Sequence, residues 1–256
     1  MLRQRVITGA VAGVVAVAAV LVLPTTGLAA LLLVIVLIGA WEWARMTDLD
    51  SLPEKMGYTL LIAGLAGAGW WLQQQGLQLP FIALGVAWWA LALVALARYR
   101  PGEEGSGFAM ALAGLPVLAP AWLALVDLHA ERPALLLYLL TLIWLADSAA
   151  YFTGKKFGRT RLAPALSPGK SREGVLGALV ATLLLGLAGA WWFDAGLVDG
   201  VYFVMLSLLT ALVSVEGDLF ESLLKRRAGV KDSGRILPGH GGVLDRIDSL
   251  TAAAPV

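Results

Sequence analysis

From Ser214 to Asp248 the chain reads SVEGDLFESLLKRRAGVKDSGRILPGHGGVLDRID, a run in which acids, bases and glycines recur at chemically useful spacings. Ser214, Asp218, Ser222 and Lys225 follow one another at intervals of four, four and three, so on a helix they share one face. Glu216 and Glu221 add acid at the depth where an apolar span should meet the headgroups, and acids there are costly unless a cation or a function satisfies them. Beyond Lys225, Arg226 and Arg227 lies a glycine-rich stretch from Lys231 to Gly242 that contains Arg235 and His240-Gly241-Gly242. Amides of such a loop approach phosphate oxygens closely while the cations neutralise them. Asp245 and Asp248 flank Arg246 and, three apart, share a face of any helix that starts there.

Carboxylates without thiolates and with only two histidines suit a hard cation such as Mg2+, which takes one or two protein carboxylates and completes its shell with phosphate oxygens. Lysines and arginines around them suit a polyphosphate. Together these are the parts of phosphoryl or nucleotidyl transfer, where catalysis is mainly positioning and charge neutralisation. The plainer alternative is that Asp218 and Glu221 are exposed beyond a span end and that the basic loop contacts anionic lipid.

A second polar stretch runs from Asp147 to Gly174, DSAAYFTGKKFGRTRLAPALSPGKSREG. Asp147 sits at the end of an apolar run, and the octet Ser167 to Gly174 offers Ser167, Lys170 and Ser171 to an anion at the start of the next helix. The Walker spacing is not met. A basic loop with an N-capping serine explains the same residues equally well.

The elements that must hold these stretches are apolar. Of 256 residues 59% are apolar and 14% charged, with a mean hydropathy of +0.80, against about 45–50% and about 25% in soluble domains. Eight runs long enough for a bilayer core are expected near 6–23, 27–44, 57–72, 79–97, 108–125, 133–152, 174–193 and 201–215, giving an all-α polytopic membrane protein. Ser249 onward looks like the start of a ninth span. The chain is expected to form one domain, 1–256, with a helical part to about 130 and a part from about 133 that carries the motifs. The first run, after Met-Leu-Arg-Gln-Arg, reads as a retained span because no small-residue cleavage site follows it.

With the N-terminus inside and the spans alternating, 18 of the 19 Lys and Arg fall on the cytoplasmic side and only Arg132 falls outside. That asymmetry sets the expected orientation and puts both polar stretches on one side. Trp41, Trp43, Trp70, Trp71, Trp191 and Trp192 read as interfacial anchors, Glu42 and Asp127 as interfacial acids, and His129 as an incidental residue of an outer loop. Without an internal repeat, a transporter for an anionic solute is the weaker alternative. Zero cysteines exclude disulfides and thiolate chemistry.

The 27 residues SLLKRRAGVKDSGRILPGHGGVLDRID, Ser222 to Asp248, resemble the signature of the bacterial phosphatidate cytidylyltransferases, or CDP-diglyceride synthases. Asp147 to Lys155 and Ser167 to Gly174 resemble two further motifs of that family, although Gly169 stands where the family often carries a basic residue. The resemblance implies formation of CDP-diacylglycerol and pyrophosphate from CTP and phosphatidic acid in phospholipid biosynthesis, at the cytoplasmic face of a bacterial inner membrane. It implies Mg2+, with K+ as a candidate second cation, and Asp218 and Asp245 as metal-site acids; Asp147 and Asp248 are further candidates. The catalytic set is then Asp218, Asp245, Lys225 and Arg226. Phosphate contacts fall to Ser167, Lys170, Ser171, Ser222, Lys231, His240, Gly241, Gly242 and Arg246. Expected partners are CTP, phosphatidic acid, membrane lipid and a second copy of the chain, and no nucleic acid. A CTP-dependent lipid-alcohol kinase is the nearest rival. The family pattern also implies that the helix begun at Ser249 continues for about 20 residues.

Overall fold

The computed structural model describes the chain except Met1, Pro101, Glu103, Glu104, Leu237, Pro238 and His240, and for residues 2–7 it describes the backbone alone. Each expected span coincides with a helix: α1 (Leu2–Val22), α2 (Thr25–Ala44), α3 (Leu52–Gln74), α4 (Gln78–Arg98), α5 (Gly107–Glu131), α6 (Pro133–Phe157), α7 (Arg172–Trp192) and α8 (Leu197–Arg227). A short α9 follows at Leu244–Ala253. Among the described residues six of these, α2 and α4 to α8, are long and apolar enough to cross a membrane.

The helices segregate by how much of their apolar surface they hide. In α5, 72% of the apolar stretch is buried, against 17–44% in the other five spans, so α5 is the hub on which α2, α3, α4 and α9 pack. The outer helices turn leucine and tryptophan outward, with Leu84, Leu91, Leu184, Trp191 and Trp192 all more than half exposed, as a lipid-facing surface requires. Side-chain donors tie the hub to its neighbours: Trp43 Nε1 donates to the Met110 carbonyl (2.8 Å), Tyr58 Oη to that of Ala111 (3.0 Å) and Trp122 Nε1 to that of Ala29 (3.0 Å). Trp43 is therefore a core residue, 2% exposed, and not an interfacial anchor. Likewise His129 is buried and bridges Thr25 Oγ1 and the Val20 carbonyl, joining α5 to the α1–α2 turn.

Close helix approaches occur where glycine removes a side chain. Gly154 of α6 and Gly174 of α7 face each other, and Gly177 leaves room for Thr153. At Gly217 of α8 a Cβ would collide with the Asp248 carbonyl and Ala252 of α9. Between α6 and α7 the chain forms an antiparallel hairpin, β1 (Arg161–Ala163) with β2 (Ser167–Ser171), in register Arg161 with Ser171 and Ala163 with Ser167. Part of the octet expected to open α7 is thus strand. Ser171 caps the helix by accepting from the Gly174 N–H at 3.1 Å, and Glu173 reaches back to accept from the amides of Arg159 and Thr160.

Gly114 lies under Tyr58 and Trp43, where any Cβ would overlap both side chains, whereas Gly64 faces open space. Gly114→Val is expected to lower the melting temperature of the detergent-purified protein by a destabilisation of about 1–3 kcal/mol. Gly64→Ala is expected to be stabilising by about 0.5–1 kcal/mol. Equal melting temperatures for the two variants would contradict this account of the α2–α3–α5 packing.

Candidate active site

The basic and acidic stretches meet at one end of the bundle because α8 does not stop at its apolar limit. It runs for 31 residues to Arg227, carrying Asp218, Glu221, Ser222 and Lys225 outward on a continuous helix. The hairpin swings Lys170 against it, so that Lys170 Nζ lies 2.7 Å from Asp218 Oδ2 and 3.5 Å from the Val215 carbonyl. Two turns further on, Lys225 Nζ sits between two carboxylates, 2.6 Å from Glu221 Oε2 and 2.7 Å from Asp245 Oδ1. Glu221 is only 2% exposed, so it is not an acid left in solvent beyond a span end. Its Oε1 is buried without a hydrogen-bond partner among the described residues.

Asp245, in the first turn of α9, is held from several sides. Its Oδ2 accepts from the Ser233 N–H (2.9 Å), the Ser233 hydroxyl (2.9 Å) and the Gly242 N–H (2.8 Å), while Oδ1 takes Lys225. Burial opposes its ionisation, but Lys225 and these N–H donors outweigh that and hold the carboxyl below the ordinary range. Asp248, one turn on, has the opposite balance: burial, reinforced by the charge of Asp218, pushes it up to about 7. Asp147 of α6 lies within electrostatic reach of Lys170, Asp218 and Arg246.

The other expected site residues distribute around this centre. Arg226 donates from Nε to the Leu166 carbonyl at 3.3 Å and so holds the hairpin tip. Ser171 spends its hydroxyl on the α7 cap, and Ser167 and Ser222 are half-buried. Lys231 and Arg246 are exposed. The Gly242 amide is committed to Asp245, and Gly241 adopts φ +79°, with Asp245 directly over the space a Cβ would need. His240 lies outside the described residues. Among the described residues no three acid or imidazole side chains converge on one point as a preformed metal site would.

Two features were not legible as part of this site. Glu42, expected at the interface, is 1% exposed and lies at its centre: Oε2 accepts from the Leu244 N–H (2.8 Å), Oε1 from the Val243 N–H (3.1 Å), and the Ser233 hydroxyl lies 3.1 Å from Oε2. The only local signal was an acid between two tryptophans, one of which, Trp43, is also buried. Arg227, read only as part of a basic run, ties two loops to the end of α8, donating to the carbonyls of Gly105 and Met46 and pairing with Asp48 at 2.5 Å. That guanidinium holds the exposed Asp48 carboxyl below its ordinary range, and Asp48 also accepts from the Gly107 N–H that opens α5.

What the arrangement offers is a set of lysines steered by carboxylates at the polar end of an apolar bundle. The profile of the family described as "Cytidylyltransferase family" matches residues 3–256. The chain is similar to the phosphatidate cytidylyltransferase of Pseudomonas aeruginosa, with 42% identity covering all of this chain and 95% of that one, and to that of Haemophilus influenzae, with 38% identity covering all of this chain and 96% of that one. The Bacillus subtilis enzyme of the same name is 33% identical over 99% of this chain and 95% of its own. Matched along nearly its whole length by profile and relatives alike, this chain belongs to the cytidylyltransferase family.

Proposed function

We propose that this membrane protein is a phosphatidate cytidylyltransferase, joining CTP and phosphatidic acid into CDP-diacylglycerol with release of pyrophosphate. The observation that carries the reading is the pair of lysines, Lys170 on Asp218 and Lys225 on Glu221 and Asp245, gathered at one end of the bundle in a chain whose relatives of that name align along its length. Phosphatidic acid brings an ionised phosphate. One of its oxygens attacks the α-phosphorus of CTP, a new P–O bond forms, and the bond from that phosphorus to the bridging oxygen breaks, pyrophosphate leaving with the electron pair. No proton has to be abstracted, so the reaction asks for cations and alignment, not a general base. Lys170, Lys225, Arg226, Lys231 and Arg246 are assigned to phosphate contacts, and the carboxylates bonded to Lys170 and Lys225 keep those ammonium groups in place before substrate arrives.

The grouping of acids supports a metal requirement. Asp147 and Asp248 both lie within electrostatic reach of Asp218, which is bonded to Lys170. Such a site repels two phosphate substrates unless a hard cation joins them, and Mg2+ needs only one or two protein carboxylates. Asp245, engaged by Lys225, Ser233 and Gly242, is the less available ligand. Asp218 and Asp248, which repel each other, are the acids we assign to Mg2+, with Asp147 next to them for a monovalent cation such as K+. When bound, the metal supplies neutralisation of charge developing on the triphosphate. The lysine and arginine asymmetry supports a cytoplasmic site in the inner membrane, and a second copy of the chain is the candidate protein partner.

Labelled CTP with phosphatidic acid and Mg2+ is expected to give CDP-diacylglycerol and pyrophosphate; release of CDP would instead indicate a lipid kinase, and no turnover a transporter. Lys225→Ala is expected to lower kcat/KM about 10- to 150-fold, the loss of one charge-assisted phosphate contact of about 1.5–3 kcal/mol. Wild-type kinetics would remove Lys225 from the site.

Asp218→Asn and Asp248→Asn are each expected to raise the Mg2+ concentration needed for half-maximal turnover by about tenfold or more, a loss of at least one charge-assisted contact. Asp245→Asn should lower turnover at saturating Mg2+ while leaving that midpoint in place. The converse pattern would make Asp245 the ligand.

Single cysteines at Thr160 and Gln74 test orientation in intact cells. An impermeant thiol reagent is expected to label Gln74→Cys and spare Thr160→Cys; the reverse would invert the topology.

A further inference from the structure

Glu42 belongs to none of the motifs above, and among the described residues no cationic side chain is bonded to it: the donors on its carboxylate are the Val243 and Leu244 amides and, shared with Asp245, the Ser233 hydroxyl, 191 to 202 residues along the chain. An acid 1% exposed has to be satisfied where it sits. Here two N–H groups at the start of α9, which have no helical partner and carry the positive end of the helix dipole, do so.

The same carboxylate shapes the loop that carries Asp245. A Cβ at Gly234 would overlap Glu42, and one at Gly242 would overlap the Ser233 hydroxyl and Glu42 together, so both positions lie close against that side chain. The Ser233 hydroxyl stands between two acids, 3.1 Å from Glu42 Oε2 and 2.9 Å from Asp245 Oδ2, and accepts from the Asp245 N–H at 3.3 Å. With one proton to donate it bonds one carboxylate at a time, so the two acids are linked through a shared donor. Asp245 then fixes Lys225 at 2.7 Å.

We propose that Glu42 is a positioning residue: it clamps the 231–243 loop and the first turn of α9 so that Asp245 presents the Lys225 ammonium in one geometry. The activity readout rests on the cytidylyltransferase reading; the exchange readout does not.

The test uses the full chain in detergent or lipid discs and compares Glu42→Gln, Ser233→Ala and the double variant with wild type. Hydrogen exchange reads the amides of Val243 and Leu244, which donate to Glu42, and those of Ser233 and Gly242, which donate to Asp245. In Glu42→Gln all four are expected to exchange at least about tenfold faster while α5 amides keep their rates, consistent with loss of one charge-assisted bond. For the folded protein kcat should fall about 10- to 100-fold with KM for CTP within about twofold, and the double variant should be no more than about threefold slower than the slower single variant. Faster exchange at Val243 and Leu244 alone, with Ser233, Gly242 and kcat unchanged, would make Glu42 a structural cap only and overturn the proposal. If Glu42→Gln yields no folded protein, Ser233→Ala decides: retained protection at Val243 and Leu244 with a fallen kcat supports the clamp, and unchanged kcat overturns it. A wild-type chain without cytidylyl transfer refutes the function, while the exchange rates at Ser233 and Gly242 still judge the clamp.

Discussion

A carboxylate buried in an apolar bundle needs hydrogen-bond donors or a countercharge, and Glu42 finds its donors in the opening of α9. That requirement links α2 to α9, and much of the polar end is built around the link. The loop before α9 has to pass close enough for Ser233 to reach Glu42, which brings glycine to positions 234 and 242. Once the loop is there, the Ser233 and Gly242 amides converge on Asp245, and Asp245 draws Lys225 of α8 toward it. One buried charge thus passes its constraint through three segments, each bond worth about 1.5–3 kcal/mol.

The rest of the polar end is assembled by geometry of a different kind. The 31 residues of α8 carry its acids past the apolar core on a rigid rod, while the hairpin between α6 and α7 brings Lys170 onto Asp218 from the side. The close contact of Gly154 with Gly174 lets α6 and α7 approach and sets where that hairpin emerges. Arg226 and Arg227, adjacent in sequence, point to different structures: one holds the hairpin tip and the other ties the loops before α3 and α5. At the opposite end, His129 with Thr25 and Asp127 with Gln73 and Gln78 close the bundle with neutral or singly charged bonds. The electrostatic contrast between the two ends is therefore carried by side-chain placement as well as by composition.

Membrane class, helix positions and the placing of the two polar stretches on one side were legible in the sequence, and the family resemblance added the grouping of Asp218 with Asp245. Apolar runs of bilayer length have few folded alternatives in lipid, and spacing along a helix fixes which side chains share a face. Those are local rules, and they also located both ends of α2 and α7 to within two residues. What they could not reach was pairing across the bundle. Trp43 and His129 occupy positions where an interfacial or loop residue reads the same in one dimension, and only the packing of α5 against α2 and the α1–α2 turn puts both inside. Glu42 is the clearest case, because its role depends on donors about 200 residues away. The sequence by itself determined a polytopic helical protein with its charges gathered on one side, since hydrophobicity and helical periodicity act between near neighbours. Only the tertiary structure decided which acid holds which lysine and which acid holds the loop, because that choice is made by distances between segments that the chain leaves far apart.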